Sequence, residues 1–568
     1  MKKLIDIVNL HECNTINKIT YNFYVTTIIC NSLKKQYSNN VINNKKFTPL
    51  VSISNSIEYS NIEMPNWDDF SEKINNFKIW DLYRNSLEWL TYIFDIGIQE
   101  NNNSYMNFCI TTINSWLSKF IVPGKYHSKL IWCDHAVSCR INVFLKIFDC
   151  LRYTKLLSKI NNNLVDVLKT HIDYLYIWVK NNNKKVNNHI LIACISIIYY
   201  NLYFEITNKE MLDYTLDIIE KYIISNFKDG INIENSPGYQ FHVLVYLIRF
   251  FYFITKIEKQ KLLTDTMKQI IEESLIYLNI FKRNNLTIPV IGDSNLTLDI
   301  FASYDEEYNN LDNMIKYLND KNIIIIKKNT LQNTFNLIVK KETGYIFLLE
   351  NDIQMIIRYN PLIYNWHTHN DQLSINYFRD GIDWITDVGS YPDKKDFCTS
   401  RIAHNILLRN MENINTIKDD YDLEIINNKH IIIKLENNAF IHKREIIWKD
   451  IDNFTIIDDV KNKNINEMSI FNQIFHLNHN ISVKQHNNNI VYLKYKDNNL
   501  KIEQYNNTQL KIYNGSEKPF IGWVCYNASK LEKTNTLVFN SNNINKTKFI
   551  TKFNYIKENN SNLEQTLL

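Results

Sequence analysis

A chain of 568 residues with 45% apolar composition is long enough for two or three domains with large cores, which excludes disorder of the whole. Its formal charge of +4 is spread over 64 basic and 60 acidic residues, with no Lys/Arg run dense enough to track a phosphate backbone, so nucleic acid is a poor partner. The opening MKKLIDIVNLHEC has no apolar core of signal-peptide length, because Asp6, Asn9, His11 and Glu12 interrupt it, and a cytoplasmic protein is expected.

In chain order, the stretch before Asn40 reads as helical and carries no motif. From about residue 75 to 285 apolar residues recur at three and four: IWDLYRNSLEWLTYIF (79–94), CRINVFLKIFDCL (139–151), LVDVLKTHIDYLYIWV (164–179) and MLDYTLDIIEKYII (211–224). The longest apolar runs, ILIACISIIYYNLYF (190–204) and HVLVYLIRFFYFI (242–254), fall short of the roughly 20 residues of a spanning helix and predict buried helices, not a membrane span. Short joints between such helices imply antiparallel neighbours in a curved double layer. Residues 303–329 form the expected hand-over. Beyond it, two-residue alternation predicts strands at 343–350, 353–359, 429–436, 453–460, 489–495 and 500–505, hence a large antiparallel β domain. The segment after about residue 540 is Asn/Lys-rich and predicts nothing. Nine cysteines with no CxxC pair, several of them inside apolar runs, predict reduced core thiols.

Only ten glycines and eight prolines occur, so their clusters mark deliberate turns: ENSPGYQFH (234–242), IPVIGDSN (288–295) and DVGSYPD (387–393). The first puts Tyr239 on the opening turn of a helix. In NWHTHND, His367 and His369 are two apart and face one side of a strand, with Asp371 joining them if the strand continues. Asp387 closes the alternation IDWITDV, and RIAHNILLRN brings His404 to the start of another strand. Two histidines and a carboxylate at neighbouring strand ends suit zinc or a similar divalent ion, and equally suit a hydrogen-bonded rim. In VNNHILIA, Asn188 and His189 open a buried helix, where an N-cap and a core-edge histidine are the plain alternatives. His135 and Arg140 lie among apolar neighbours in IWCDHAVSCRINVFL, and a buried Arg140 predicts an ion pair with some Asp or Glu.

Taken together, WCDHAVSCR, NNHI, ENSPGYQFH, PVIGDS, HTHNDQLS, DVGSYPD and RIAHN, in that order over about residues 79–410, resemble the heparinase II/III family, relatives of the alginate lyases. The resemblance implies an α+β multidomain protein: an incomplete (α/α) toroid over 1–320, then an antiparallel β-sandwich over 321–568, with the active cleft where they meet. It implies cleavage of an acidic, uronic-acid polysaccharide by β-elimination. By resemblance Asn188, His189, Tyr239 and His367 are catalytic, and His135, Arg140, Glu234, Asn235, Tyr391 and Asn405 contact substrate. His369, Asp387 and His404 match a structural divalent-metal site, zinc by its ligand types. Oligomeric state is not legible.

Two departures from the family pattern stand out. Ile190 follows Asn-His where many relatives have Gly, and Thr368 sits between the histidines where Gly is frequent; both are expected to alter substrate fit. Two rival readings follow from the same residues. HTHND is also the start of a two-zinc, metallo-β-lactamase-like hydrolase motif, but its next histidine is replaced by Gln372. The chain is otherwise a glycan-binding or assembly protein that kept the fold without activity, in the setting of bacterial capsule or surface-polysaccharide synthesis.

Overall fold

The computed structural model describes residues 77–557 apart from breaks, chiefly at 152–163, 295–303, 326–334, 360–366 and 414–418, with a few positions ahead of residue 77. The helical expectation before Asn40 lies outside the described residues. The chain divides into two compact units. One comprises residues 1–227, 242–273 and 298–326; the other comprises 228–241, 274–297 and 327–568. Two short segments that precede the β-rich half in sequence therefore group with it.

Among the described residues, ten helices carry the first half: α1 (Phe77–Ser86), α2 (Leu90–Gln99), α3 (Asn103–Phe120), α4 (Asp134–Leu151), α5 (Leu164–Asn182), α6 (Asn188–Tyr203), α7 (Lys209–Asn226), α8 (Pro237–Lys256), α9 (Asp265–Phe281) and α10 (Tyr304–Asp320). The expected hand-over thus contains a helix, α10. Residues 79–94 form two helices rather than one, because Leu87 takes a positive φ of 59° and Trp89 donates its indole N–H to the Arg84 carbonyl. α6 is buried on nearly its whole circumference, and α4, α5 and α7 all pack on it. That explains why its sequence lacks a polar stripe. No helix among the described residues is long and apolar enough to cross a membrane.

In the β-rich unit, β1 (Asn336–Lys340), β2 (Tyr345–Glu350), β3 (Ile353–Arg358), β4 (Ile375–Arg379) and β5 (Ile382–Ile385) form an antiparallel five-stranded meander. Next in the chain come β6 (Leu407–Arg409), β7 (Asp420–Asn427), β8 (His430–Glu436), β9 (Phe440–Asp450), β10 (Asn453–Asn462) and β11 (Phe471–His476). They are followed by β12 (Ser482–Gln485), β13 (Ile490–Tyr495), β14 (Asn498–Gln504), β15 (Gln509–Asn514), β16 (Asn535–Asn540) and β17 (Lys546–Lys557). An eight-stranded sheet runs in the order β7-β8-β9-β10-β17-β14-β13-β12, and a four-stranded one β6-β11-β16-β15. One apolar core joins all three sheets, with Met355 and Trp384 from the meander, Trp448, Phe454 and Phe553 from the large sheet, and Phe475 and Phe539 from the small one. The packing is that of a β-sandwich.

The segment after residue 540, unread from sequence, supplies β17 at the centre of the large sheet. A buried arginine fixes the chain that leads to the second glycine turn. Arg283 donates to Asp383 at 2.5 and 2.8 Å, to Asn376 at 2.8 Å and to Gln354 at 3.1 Å, which ties the end of α9 to β3, β4 and β5. Six described cysteines carry no disulfide.

Candidate active site

The first turn of α8 is built for a fixed Tyr239. Ser236 is the cap, its hydroxyl accepting from the Tyr239 amide at 3.3 Å, and Pro237 follows at the first helical position. The Ser294 hydroxyl accepts from the Gly238 amide at 3.0 Å and lies 2.8 Å from the Ser236 hydroxyl. Asn235, at φ 57°, donates its amide to the Ile233 carbonyl and to the Thr368 hydroxyl, each at 3.0 Å. Thr368 is therefore a buried tie between ENSPGY and HTH, and Ile190 is buried with its amide on the Asn187 cap. Neither departure from the family pattern presents its side chain to solvent.

Gly292 makes the next approach possible. Its φ is +60°, and a Cβ there would lie 2.7 Å from the Asn235 carbonyl oxygen and 3.1 Å from that of His367. The turn aims Asp293 at both histidines: Oδ2 is 2.5 Å from His367 Nδ1, Oδ1 is 2.9 Å from His369 Nε2, and the Ser390 hydroxyl donates to Oδ1 at 3.0 Å. Burial raises the Asp293 pKa, but hydrogen bonds from the two imidazoles more than offset this and hold it well below the usual carboxylate range. On the other edge, His367 Nε2 is 3.5 Å from the buried Glu234 carboxylate. The Tyr239 ring stacks on His367 with centroids 3.9 Å apart and planes 27° off parallel. Residues 367–374 are not a strand, yet His367 and His369 face one way, as their convergence on one carboxylate requires. Asp371 does not join them; it pairs with Arg358 at 3.3 Å.

Behind them, His404 Nδ1 lies 2.9 and 3.0 Å from the two Asp387 oxygens, and the His369 and His404 rings are 5.5 Å apart. Burial pushes the Asp387 pKa up and His404 pulls it further down, so the net shift is downward. Among the described residues no three His, Cys, Asp or Glu side chains stand together in a metal-holding arrangement. The donor chemistry does fit a metal in one respect: His369 Nδ1 and His404 Nε2 are buried without a hydrogen-bond partner, each on a ring whose other nitrogen is held by a carboxylate.

Among the remaining expected substrate contacts, Asn405 is fully buried and saturated. It donates to the Ile375 and Thr386 carbonyls at 2.7 and 2.8 Å, and its side-chain oxygen accepts from the His476 amide at 2.6 Å. Its place is a bolt inside the sandwich, a correction to the substrate role. Tyr391 is half-buried, with its hydroxyl 3.2 Å from Asp393.

In the helical unit, Asn187 rather than Asn188 caps α6; Asn188 is its first residue. His189 Nδ1 lies 2.7 Å from Asp134 Oδ2, and the His135 ring is 6.0 Å from that of His189. His242 is electrostatically coupled to both histidines, and burial foremost, then His135, Arg249 and His189, pushes its pKa down to about 4. Arg140 is entirely enclosed. It donates to His171 at 3.0 Å and to the Asn85 carbonyl at 2.7 Å, with Trp116 and Trp132 over its guanidinium, so an imidazole and a carbonyl replace the carboxylate expected from sequence. That burial also corrects its substrate role. Three residues to which the sequence reading gave no role touch candidate residues: Asp293 and Ser390 at the His367–His369 pair, and, in the helical unit, Asp134 at His189.

Residues 334–563 match the family model described as Heparinase II/III-like, C-terminal. Many solved structures match, and those described next share the fold. A heparinase III superposes with a TM-score of 0.74 at 12% identity, covering 98% of this chain and 94% of the other. A second heparinase III gives 0.68 at 16% identity over 94% and 85%. Heparan sulfate lyase HepC from Pedobacter heparinus gives 0.62 at 16% identity over 98% and 88%. No curated protein matches the chain.

Proposed function

From a chain that carries a heparinase II/III-like C-terminal domain at residues 334–563 and a heparinase III-like fold, we propose a polysaccharide lyase that cleaves a uronic-acid glycan by β-elimination. The observation that carries the reading is the Tyr239–His367 stack, with both carboxylates of Asp293 and Glu234 on the imidazole edges.

In the reaction the C5 proton leaves, its electrons form the C4–C5 double bond, and the C4–O bond breaks with the glycosidic oxygen taking a proton. The C5 proton is too weakly acidic for a protein base until the neighbouring carboxylate is neutralised by donors. The reading gives that role to Asn188 and His189, as the resemblance implies. Tyr239 protonates the leaving oxygen. His367 is the base for anti elimination; for syn elimination Tyr239 itself serves as tyrosinate, which for a phenol of ordinary pKa near 10 requires neighbouring positive charge.

We further propose that His369 and His404 hold a zinc-type divalent ion through their two unpartnered nitrogens, with Asp387, a ligand in the resemblance, instead bracing the His404 ring at Nδ1. When bound, such an ion supplies rigidity beneath the site and a fixed charge. The proposed partner is an acidic polysaccharide or oligosaccharide.

The test is incubation with a panel of uronic-acid polysaccharides, following near-ultraviolet absorbance of the unsaturated product. A rise with at least one glycan is expected. Binding of a glycan without product across the panel would favour the assembly-protein reading, and saturated products would favour a hydrolase.

A further inference from the structure

We infer that Asp293 is a positioning residue whose single carboxylate sets the orientation of His367 and His369 together, and through His367 the geometry of the ring that stacks on Tyr239. Its kinetic consequence rests on the lyase reading; its structural consequence does not.

Three features single out this carboxylate. Both oxygens are spent on imidazoles, Oδ2 on His367 Nδ1 at 2.5 Å and Oδ1 on His369 Nε2 at 2.9 Å, and Ser390 steadies Oδ1 at 3.0 Å. The side chain is 11% exposed, so water competes weakly for these contacts. Gly292 is conformationally and sterically required for the turn that delivers it, which ties Asp293 to the backbones of Asn235 and His367 themselves.

An imidazole held only by stacking is free to flip about χ2 and exchange its nitrogens. A carboxylate at Nδ1 ends that freedom: it fixes the Nδ1–H tautomer and points Nε2 toward Glu234, 3.5 Å away. The same carboxylate occupies Nε2 of His369, so that only Nδ1 of that ring is open to another partner. One residue thus assigns the working nitrogen on two histidines. Loss of an orienting carboxylate costs roughly 10- to 100-fold where it supports a metal ligand and about 10,000-fold where it supports a catalytic histidine.

The experiment uses full-length protein labelled with nitrogen-15 in histidine. Wild type is expected to show a far-downfield Nδ1 proton that His367→Gln removes and thereby assigns. Asp293→Asn should remove the same signal while far-ultraviolet dichroism and Tm stay near wild type. With a cleavable glycan in hand, Asp293→Asn should lower kcat at least about 100-fold with KM changed less than about threefold, a split that general loosening of the fold does not produce. A wild-type spectrum without a bonded His367 Nδ1 proton overturns the inference even if Asp293→Asn fails to fold. So does an Asp293→Asn spectrum in which that proton persists. If no glycan is cleaved, the lyase reading fails and the spectrum still decides the role of Asp293.

Discussion

The ring of Tyr239 lies on the imidazole of His367 at a centroid distance of 3.9 Å, although 128 positions of sequence, 239 to 367, separate them. A phenol from the first turn of a helix and a histidine ahead of a strand meet where the Gly292 turn packs against the Asn235 and His367 backbones and a serine caps the helix.

Removing only the phenolic oxygen separates chemistry from packing. Tyr239→Phe keeps the ring over His367 and loses the proton donor, so turnover should fall by about 100- to 10,000-fold, the usual worth of a general acid, with Tm nearly unchanged. Initial rates and thermal unfolding of the purified variant check both halves.

Gly292→Ala tests the turn. At φ +60° any side chain is strained, and this Cβ meets the Asn235 oxygen at 2.7 Å; Gly381, at φ +82°, has nothing within 4 Å of its Cβ position. Gly381→Ala should cost about 1 kcal/mol for backbone conformation alone, and Gly292→Ala clearly more, about 3 kcal/mol. Denaturant titrations of the two variants give the comparison. Equal losses would show that the close approach does not matter.

The metal proposal predicts that protein purified without chelator carries about one equivalent of zinc or a similar ion per chain, and that His404→Ala loses it. Elemental analysis finding none, with Tm unmoved by chelation, would remove the metal.

Stability in mild acid should depend on His242. Its pKa is pushed down to about 4 by burial first, then by His135, Arg249 and His189, against about 6.5 in an unfolded chain. Between these values the unfolded chain binds more protons, so the contribution is complete above about pH 6.5 and is lost as pH falls toward 4, up to about 3 kcal/mol in all. Tm measured across this range should fall less steeply for His242→Gln than for wild type.

The helices of the first half were legible because their apolar spacing is regular; α5 and α7 extend only a few residues beyond the runs 164–179 and 211–224. β9 was not legible, since its inward positions include His442 and Arg444, which are buried against Asp458 and break the apolar alternation. β17 hid for the opposite reason: Phe549, Thr551, Phe553 and Tyr555 do alternate inward, but lysines and asparagines between them made the segment read as polar tail. Tyr239, His367 and Glu234 were singled out through rare residues and resemblance, and the structure brings their side chains together. Asp293 was quoted within PVIGDS and given no task, because nothing local links it to histidines 74 and 76 positions away.

The central claim is that bond cleavage is an elimination worked by Tyr239 and His367, and mass spectrometry of products formed in oxygen-18 water tests it most directly. The account predicts an unsaturated product lighter by one water than the hydrolytic fragment, free of the heavy isotope, formed by wild type and lost in Tyr239→Phe. Saturated ends carrying oxygen-18, or unchanged product from Tyr239→Phe, would contradict it.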